Sequence, residues 1–139
     1  MLFSAGGYTI KEMKQEVSMM IKKIATVAVY TDDQQKAKTF WTEKAGFETV
    51  AEHPMGPGAF WLEVAPKGAA THLVIYPKSM MKGAEHMKAY IVFECEDVFA
   101  AYEQMKKNGI TFLDEPKQME WGSFVQFKDE DGHVFLLKS

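Results

Sequence analysis

Two stretches of the chain carry the same succession of apolar and polar segments. In the first, the β-branched run 24–31 predicts a strand, Asp33 predicts a helix cap, and the apolar spacing that follows predicts a helix over about 34–44. Gly46 ends this helix, and the segment 53–58 predicts a loop because it holds two prolines and two glycines. Further apolar runs predict strands at 47–52, 59–65 and 71–76.

The second stretch repeats this order after a connector at 78–87. The run 89–95 predicts a strand, Asp97 caps a helix, and Gly109 ends that helix. Further strands are predicted at 110–113, 122–128 and 133–138, with a loop over 114–121. Each half therefore reads β-α-β-β-β along the chain.

Matching residues in the two halves keep one offset of 64 positions. The pairs are Asp33 and Asp97, Ala37 and Ala101, Gly58 and Gly122, Phe60 and Phe124, Gly68 and Gly132, and Leu73 and Leu137. We therefore predict an α+β fold of two tandem βαβββ modules, 20–77 and 88–139. Their strands would form a cupped, roughly eight-stranded mixed sheet with the helices outside. The concave side of such a sheet is the natural pocket.

Residues 1–19 lie outside the repeat and are predicted to be an N-terminal extension, either a short helix over 9–18 or a disordered tail. A genetic hypothesis stands beside these two. Gln15-Glu16-Val17 can be encoded by a run containing a bacterial ribosome-binding sequence, and it lies just before Met19 and Met20. The natural start would then be Met19 or Met20, with residues 1–18 a mis-assigned leader.

Composition excludes several classes of protein. A formal net charge of −3 and the lack of a Lys/Arg run argue against a nucleic-acid partner. No apolar stretch is long enough to span a bilayer, and no secretory signal is present at the N-terminus. Cys95 is the single cysteine, so an intramolecular disulfide is impossible and a reducing cytoplasm is the expected location.

Two segments carry a resemblance to a known superfamily: VAVYTDDQQKAKTFWTEKAGFE in the first half and WGSFVQFKDEDGHVFLL at the end. They resemble the vicinal oxygen chelate superfamily of glyoxalase I, extradiol dioxygenases, fosfomycin-resistance enzymes and bleomycin-resistance proteins, over about residues 20–139. That superfamily hosts several unrelated chemistries, so the resemblance predicts a fold more sharply than a function.

The resemblance implies four positions for a divalent metal: Thr26, His72, Tyr90 and Leu136. Only His72 is an ordinary ligand, because threonine is a poor neutral donor, tyrosine ionises near pH ~10 and leucine cannot coordinate. A catalytic metal takes about three protein ligands. We therefore predict that the chain has no metal site and no cofactor, and we assign no catalytic residue.

The same positions predict a ligand-binding floor made of His72, Tyr90 and Thr26. Strand alternation adds Tyr76 and Glu94, and Trp61 and Trp121 would frame the cup. The alternative is that these side chains only fill a core. Glu63 is a further candidate acid whose side of the sheet the pattern leaves open.

The leading hypothesis is metal-independent binding and sequestration of an aromatic or cationic small molecule, in the manner of bleomycin-resistance proteins that give antibiotic resistance. The resemblance implies a homodimer, because ligand sites in that subgroup usually need two chains. The rival is a metal-dependent glyoxalase- or dioxygenase-type enzyme with a non-standard site. A third possibility is an interaction module whose cup is filled by its own side chains.

Overall fold

The computed structural model describes residues 7, 9–12, 20–120 and 122–139. In the predicted helix over 9–18 only the first turn is described, where the backbone N–H of Glu12 donates to the Thr9 hydroxyl and the N–H of Thr9 to the Glu12 carboxylate. The rest of that helix and the proposed start at Met19 fall outside the described residues. No helix in the described part of the chain is long and apolar enough to cross a bilayer.

The first half forms a four-stranded sheet and one helix. Its elements are β1 (Thr26–Thr31), α1 (Gln34–Thr39), β2 (Glu48–Gly56), β3 (Ala59–Ala65) and β4 (His72–Pro77). The strand order is β1-β4-β3-β2, with β1 and β4 parallel. Helix α1 begins as predicted, because the Asp33 carboxylate accepts the backbone N–H of Lys36 at 3.1 Å.

The second half forms a five-stranded sheet and one helix. Its elements are β5 (Val92–Glu94), α2 (Val98–Lys107), β6 (Thr111–Phe112), β7 (Lys117–Met119), β8 (Gly122–Lys128) and β9 (Val134–Lys138). The order is β5-β9-β8-β6, and β7 also pairs with β8. Asp97 caps α2 as predicted, and the connector forms two short 3₁₀ turns, Lys78–Met80 and Ala84–His86. The predicted α+β class is confirmed.

Two predicted loops are partly strands. Strand β2 runs on to Gly56 through Pro54, within the segment 53–58, and β7 lies within 114–121. Pro54 is tolerated because β2 is the edge of its sheet and the register shifts between Pro54 and Gly56, so no ladder hydrogen bond needs a proline N–H. The prolines and glycines of 53–58 therefore indicate an irregular edge strand, not a segment without a strand.

Both halves share one buried core, and Trp41 lies at its centre. This side chain is fully buried, and its ring lies 5.9 Å from Phe93, 6.5 Å from Phe127 and 5.2 Å from Phe135 on the second sheet. Helix α1 also contacts β3 and β4 of its own sheet. The helix side of the molecule is therefore the shared core, and hydrogen bonds define two separate sheets rather than one continuous sheet.

A π-helical turn changes how the two halves correspond. Helix α1 continues into the π-turn Phe40–Lys44, and after it the matching glycines are Gly46 and Gly109, an offset of 63. The buried residues of β3 and β8 keep this shorter offset, as with Leu62 and Val125. The echo of Phe60 in Phe124 is therefore not a structural equivalence, since a shift of one residue turns a strand side chain to the other face.

The longer β8–β9 turn restores the original offset and joins the two halves. The carboxylate of Asp131 accepts the hydroxyl of Thr31 at 2.7 Å and the backbone N–H of Asp32 at 3.2 Å. Asp129 supports this turn by accepting the backbone N–H groups of Asp131 and His133. The second hairpin is therefore pinned to the end of β1.

Candidate functional site

One face of the first sheet carries the polar side chains of the predicted floor. Thr26 lies opposite His72 in the β1–β4 register, and Tyr30 lies opposite Tyr76 four residues further along each strand. The intervening positions, such as Val29 and Ile75, belong to the buried core on the other face. Strand alternation thus separates a core face from a face that we call the cup face of the first sheet.

Glu63 joins this face and links two of the predicted residues. The indole N–H of Trp61 donates to Glu63 Oε2 at 2.7 Å, and His72 Nδ1 lies 2.8 Å from Glu63 Oε1. The Glu63 and His72 side chains are 18% and 21% exposed, so neither is buried away from a ligand. The Trp61 indole, and after it the His72 imidazole, hold the pKa of the Glu63 carboxyl below its usual range.

This arrangement orients the histidine. An ionised carboxylate only accepts hydrogen bonds, so His72 Nδ1 carries the proton toward Glu63. In the neutral ring the other nitrogen, Nε2, then keeps its lone pair as an acceptor or base. Glu63, whose side of the sheet the sequence left open, is therefore the central polar residue of the cup face.

Aromatic rings border the Glu63–His72 pair. Tyr76 meets Tyr30 and Trp61 edge-on, with ring centroids 6.2 Å apart in both cases. Rings in this arrangement present both faces and edges to a flat ligand. The face therefore combines one carboxylate and one imidazole with three aromatic side chains.

Among the described residues, the predicted second-half residues make no contact with the Trp61–Glu63–His72 cluster. Tyr90 is 77% exposed and precedes β5, and in the second sheet Val92 lies opposite Leu136. The first half pairs Thr26 with His72, so β5 is displaced by two residues, about 6.6 Å, relative to that pattern. The second-half positions that the resemblance implied, Tyr90 and Leu136, therefore do not lie opposite each other as Thr26 and His72 do.

The remaining predicted residues of the second half are Glu94 and Trp121. The Glu94 side chain is 79% exposed and lies 3.9 Å from Lys138 Nζ, a surface ion pair of small energetic value. Trp121 lies outside the described residues.

A different cluster has the spacing of metal ligands. Asp129, Asp131 and His133 each offer an atom within 4.8 Å of the others, the single such group of three among the described residues. Their oxygens already accept protein donors, including His133 Nδ1 at 2.8 Å from Asp129. This hydrogen bond raises the pKa of His133. The cluster therefore has a structural explanation in the β8–β9 turn.

Elsewhere the described residues form cavities that include three of about 340, 420 and 520 Å³. Within the described part of the chain, Glu63 and His72 line none of them. Tyr90 lines the largest, beside Met87 and His133. The partly exposed Glu63–His72 pair therefore lies outside these three cavities.

Comparisons with known proteins agree with this fold. The family model described as Glyoxalase/Bleomycin resistance protein/Dioxygenase superfamily matches residues 23–137. YetH of Bacillus subtilis (strain 168), an uncharacterized protein, is 76% identical over 119 residues, which is 86% of this chain and 99% of YetH.

Two solved structures are similar across nearly their whole length. TnmS3, an antibiotic binding protein from Streptomyces sp. CB03234, is 36% identical with a TM-score of 0.72, covering 86% of this chain and 96% of that one. A superfamily member from Sphaerobacter thermophilus DSM 20745 is 29% identical with a TM-score of 0.78, covering 86% and 98%.

Proposed function

Because the chain belongs to the glyoxalase/bleomycin resistance protein/dioxygenase superfamily, we propose that it binds and sequesters a small molecule without a metal. The observation that carries this proposal is the Trp61–Glu63–His72 network on the cup face of the first sheet. Its two polar groups are partly exposed, oriented by each other and bordered by aromatic rings. Such a surface recognises a ligand through a few placed polar groups on an apolar background.

The network favours a ligand with an aromatic ring and a cationic or N–H group. The ionised Glu63 attracts a positive charge, and His72 Nε2 accepts a hydrogen bond from a donor. Tyr30, Trp61 and Tyr76 supply ring contacts. The likeness to TnmS3 supports an antibiotic or a similarly shaped metabolite as the occupant. Capture alone would give resistance, since no bond in the ligand needs to break.

A second copy of the chain completes the site in this proposal. The Glu63–His72 pair is partly exposed in one chain, and the second half leaves Tyr90 and Val92 77% and 42% exposed. In this proposal these exposed side chains form part of the contact surface. We therefore propose a homodimer working in the cytoplasm. Light scattering after gel filtration tests the dimer: wild type runs at twice the chain mass, Val92→Lys runs as a monomer, and a wild-type monomer contradicts the assembly.

The binding proposal is tested with a thermal-shift panel of cationic and aromatic antibiotics that includes bleomycin. A ligand of the native state raises the melting temperature by mass action. For a compound that binds, Glu63→Gln weakens affinity about tenfold or more, because the charge and the orientation of His72 are lost together. Glu48→Gln, an exposed carboxylate in β2, serves as the matched control and leaves affinity unchanged.

Two results contradict the proposal. One is a panel in which no compound shifts the melting temperature. The other is an affinity that Glu63→Gln and Glu48→Gln change equally.

A second candidate function is proton-transfer catalysis of the glyoxalase type. The observation in its favour is the carboxylate–imidazole pair itself, which leaves His72 Nε2 placed as a general base. Turnover of a methylglyoxal–thiol adduct, lost in His72→Ala and retained in Glu48→Gln, would establish it. Wild-type protein without turnover, with and without added divalent metal, excludes it.

A further inference from the structure

An apolar cavity of about 420 Å³ opens on the helix side of the second sheet. Its wall consists mainly of Phe47, Phe93, Phe127, Met105 and Leu137. Phe93 and Leu137 point to the core face of the second sheet, whereas their neighbours Val92 and Leu136 point to the opposite face. The cavity is therefore separate from the cup-face site proposed above.

The cavity exists because the two helices carry different side chains at matching positions. Counted from the caps Asp33 and Asp97, residues Phe40 and Trp41 of the first half correspond to Gln104 and Met105 of the second. Phe40 and Trp41 are fully buried, but Gln104 is exposed and Met105 only partly buried. Two aromatic rings thus fill one side of the core, and the second half leaves the corresponding volume open.

Glu94 borders the cavity with a side chain that is 79% exposed to solvent, and the other polar groups around the opening are already engaged. Gln104 Nε2 donates to Asn108 Oδ1 at 3.0 Å, and Asn108 Nδ2 donates to the carbonyl of Lys44 at 3.1 Å. The Lys44 ammonium is paired with Glu130 at 2.8 Å. No unpaired charge among these groups is available to a ligand, so the cavity suits a neutral molecule.

The rings inside suit a flat molecule. Phe93 lies 6.0 Å from Phe127 and 5.8 Å from Phe47, with the second pair nearly perpendicular. A dry apolar cavity of even ~150 Å³ takes up benzene, and ligand pockets commonly measure about 300–1,000 Å³. This cavity has room for a molecule of two or three rings.

We propose that this cavity is a second binding site, specific for neutral, flat, apolar molecules, and independent of the polar cup-face site. The molecule would insert between α2 and the segment 45–47 and stack on Phe93. Burial of its apolar surface supplies the driving force.

The first experiment uses N-phenyl-1-naphthylamine, a neutral aromatic probe that fluoresces in apolar surroundings. Wild type binds it with one site per chain. Met105→Trp places in α2 the residue that α1 carries, fills the cavity and abolishes binding, and Ala101→Leu on the same wall weakens binding. Glu103→Trp, an exposed position on the same helix, is the control and binds as wild type. No binding by wild type, or equal binding by all variants, overturns the proposal.

The second experiment locates the probe through Cys95, the single thiol of the chain, which lines the cavity and is half-buried. Burial raises the pKa of this thiol, so alkylation by iodoacetamide is followed at about pH 9 by the gain in protein mass. The free protein is alkylated, and the bound probe slows the reaction about tenfold. A thiol inert without probe, or one alkylated equally fast with it, overturns the proposal.

The two sites are distinguished by exchanging the variants. Glu63→Gln leaves probe binding intact, and Met105→Trp leaves antibiotic binding intact. Failure of one site therefore leaves the other standing.

Discussion

The two halves of this protein have nearly the same order of elements, yet they use their faces in opposite ways. In the first half the helix side is filled by Phe40 and Trp41, and the cup face holds the Glu63–His72 pair. In the second half a cavity lies beside Met105 on the helix side of the sheet, and the opposite face of that sheet exposes Val92. Because the two halves share one core, the aromatic residues of the first helix supply packing for both halves. The matching positions of the second helix then do not need to fill the core.

The hairpin turns differ in the same sense. The β3–β4 turn holds Lys67 where the β8–β9 turn holds Asp131, and Lys67 is exposed. Asp131 instead reaches across to Thr31 and Asp32 at the end of β1. The first half thus supplies the main core residue, Trp41. The second half supplies the hydrogen bonds of Asp131 to Thr31 and Asp32, which we call the clamp.

The largest expected difference between the halves concerns the helix residues. Trp41→Ala lowers the free energy of unfolding by about 3–5 kcal/mol, because the ring is fully buried among aromatic neighbours. Met105→Ala, at the corresponding position of α2, costs about 1 kcal/mol because Met105 already borders a cavity. Urea unfolding measures both, and equal losses would contradict the assignment of the core to the first helix.

The clamp comes next. Asp131→Ala removes two hydrogen bonds to a charged group and lowers the free energy of unfolding by about 2 kcal/mol. The control is Lys67→Ala in the other hairpin, which we expect to change stability by less than about 0.5 kcal/mol. Chemical denaturation measures the free energy of unfolding of both variants. An equal loss for Asp131→Ala and Lys67→Ala would contradict a stabilising role of the Asp131 hydrogen bonds.

The helix ends should behave alike in both halves. Gly46 and Gly109 have φ values of +80° and +92°, which other residues adopt only with strain. Replacing either by alanine costs about 1 kcal/mol, and neither substitution meets a close contact. Thermal melts of Gly46→Ala and Gly109→Ala should therefore agree, and a large excess at one site would mean that the two helix ends are not equivalent.

The smallest effect is a pH dependence that His133 contributes in the second half. Hydrogen bonding to Asp129 raises the pKa of His133 above that of the unfolded chain, so the protonated form stabilises the fold. This contribution is complete below the unfolded value of about 6.5 and is lost as the pH rises through the folded value.

Unfolding at about pH 6 and about pH 8.5 for wild type and His133→Asn isolates the contribution of this pair. We expect the stability advantage of wild type over the variant to shrink at the higher pH. An advantage that grows with pH would show that the charged pair does not stabilise the turn.

Much of the fold could be predicted from local patterns. Asp33 and Asp97 cap helices, Gly46 and Gly109 end them, and β3 has its predicted bounds. These features depend on near neighbours in the chain. The candidate site was predicted less completely: His72, Thr26, Tyr76 and Trp61 share the first sheet, but Glu63 was only an open alternative.

The amino-acid sequence by itself determined the order of the helices and of most strands and the residues that cap and end the helices, because hydrogen bonds and periodicities within each segment specify them. The tertiary structure alone decided three things: the pairing of Glu63 with His72, the two-residue displacement of β5 against β9, and the cavity beside Met105. Each depends on the registration of segments distant in the chain, and a shift of one or two residues changes which side chains meet.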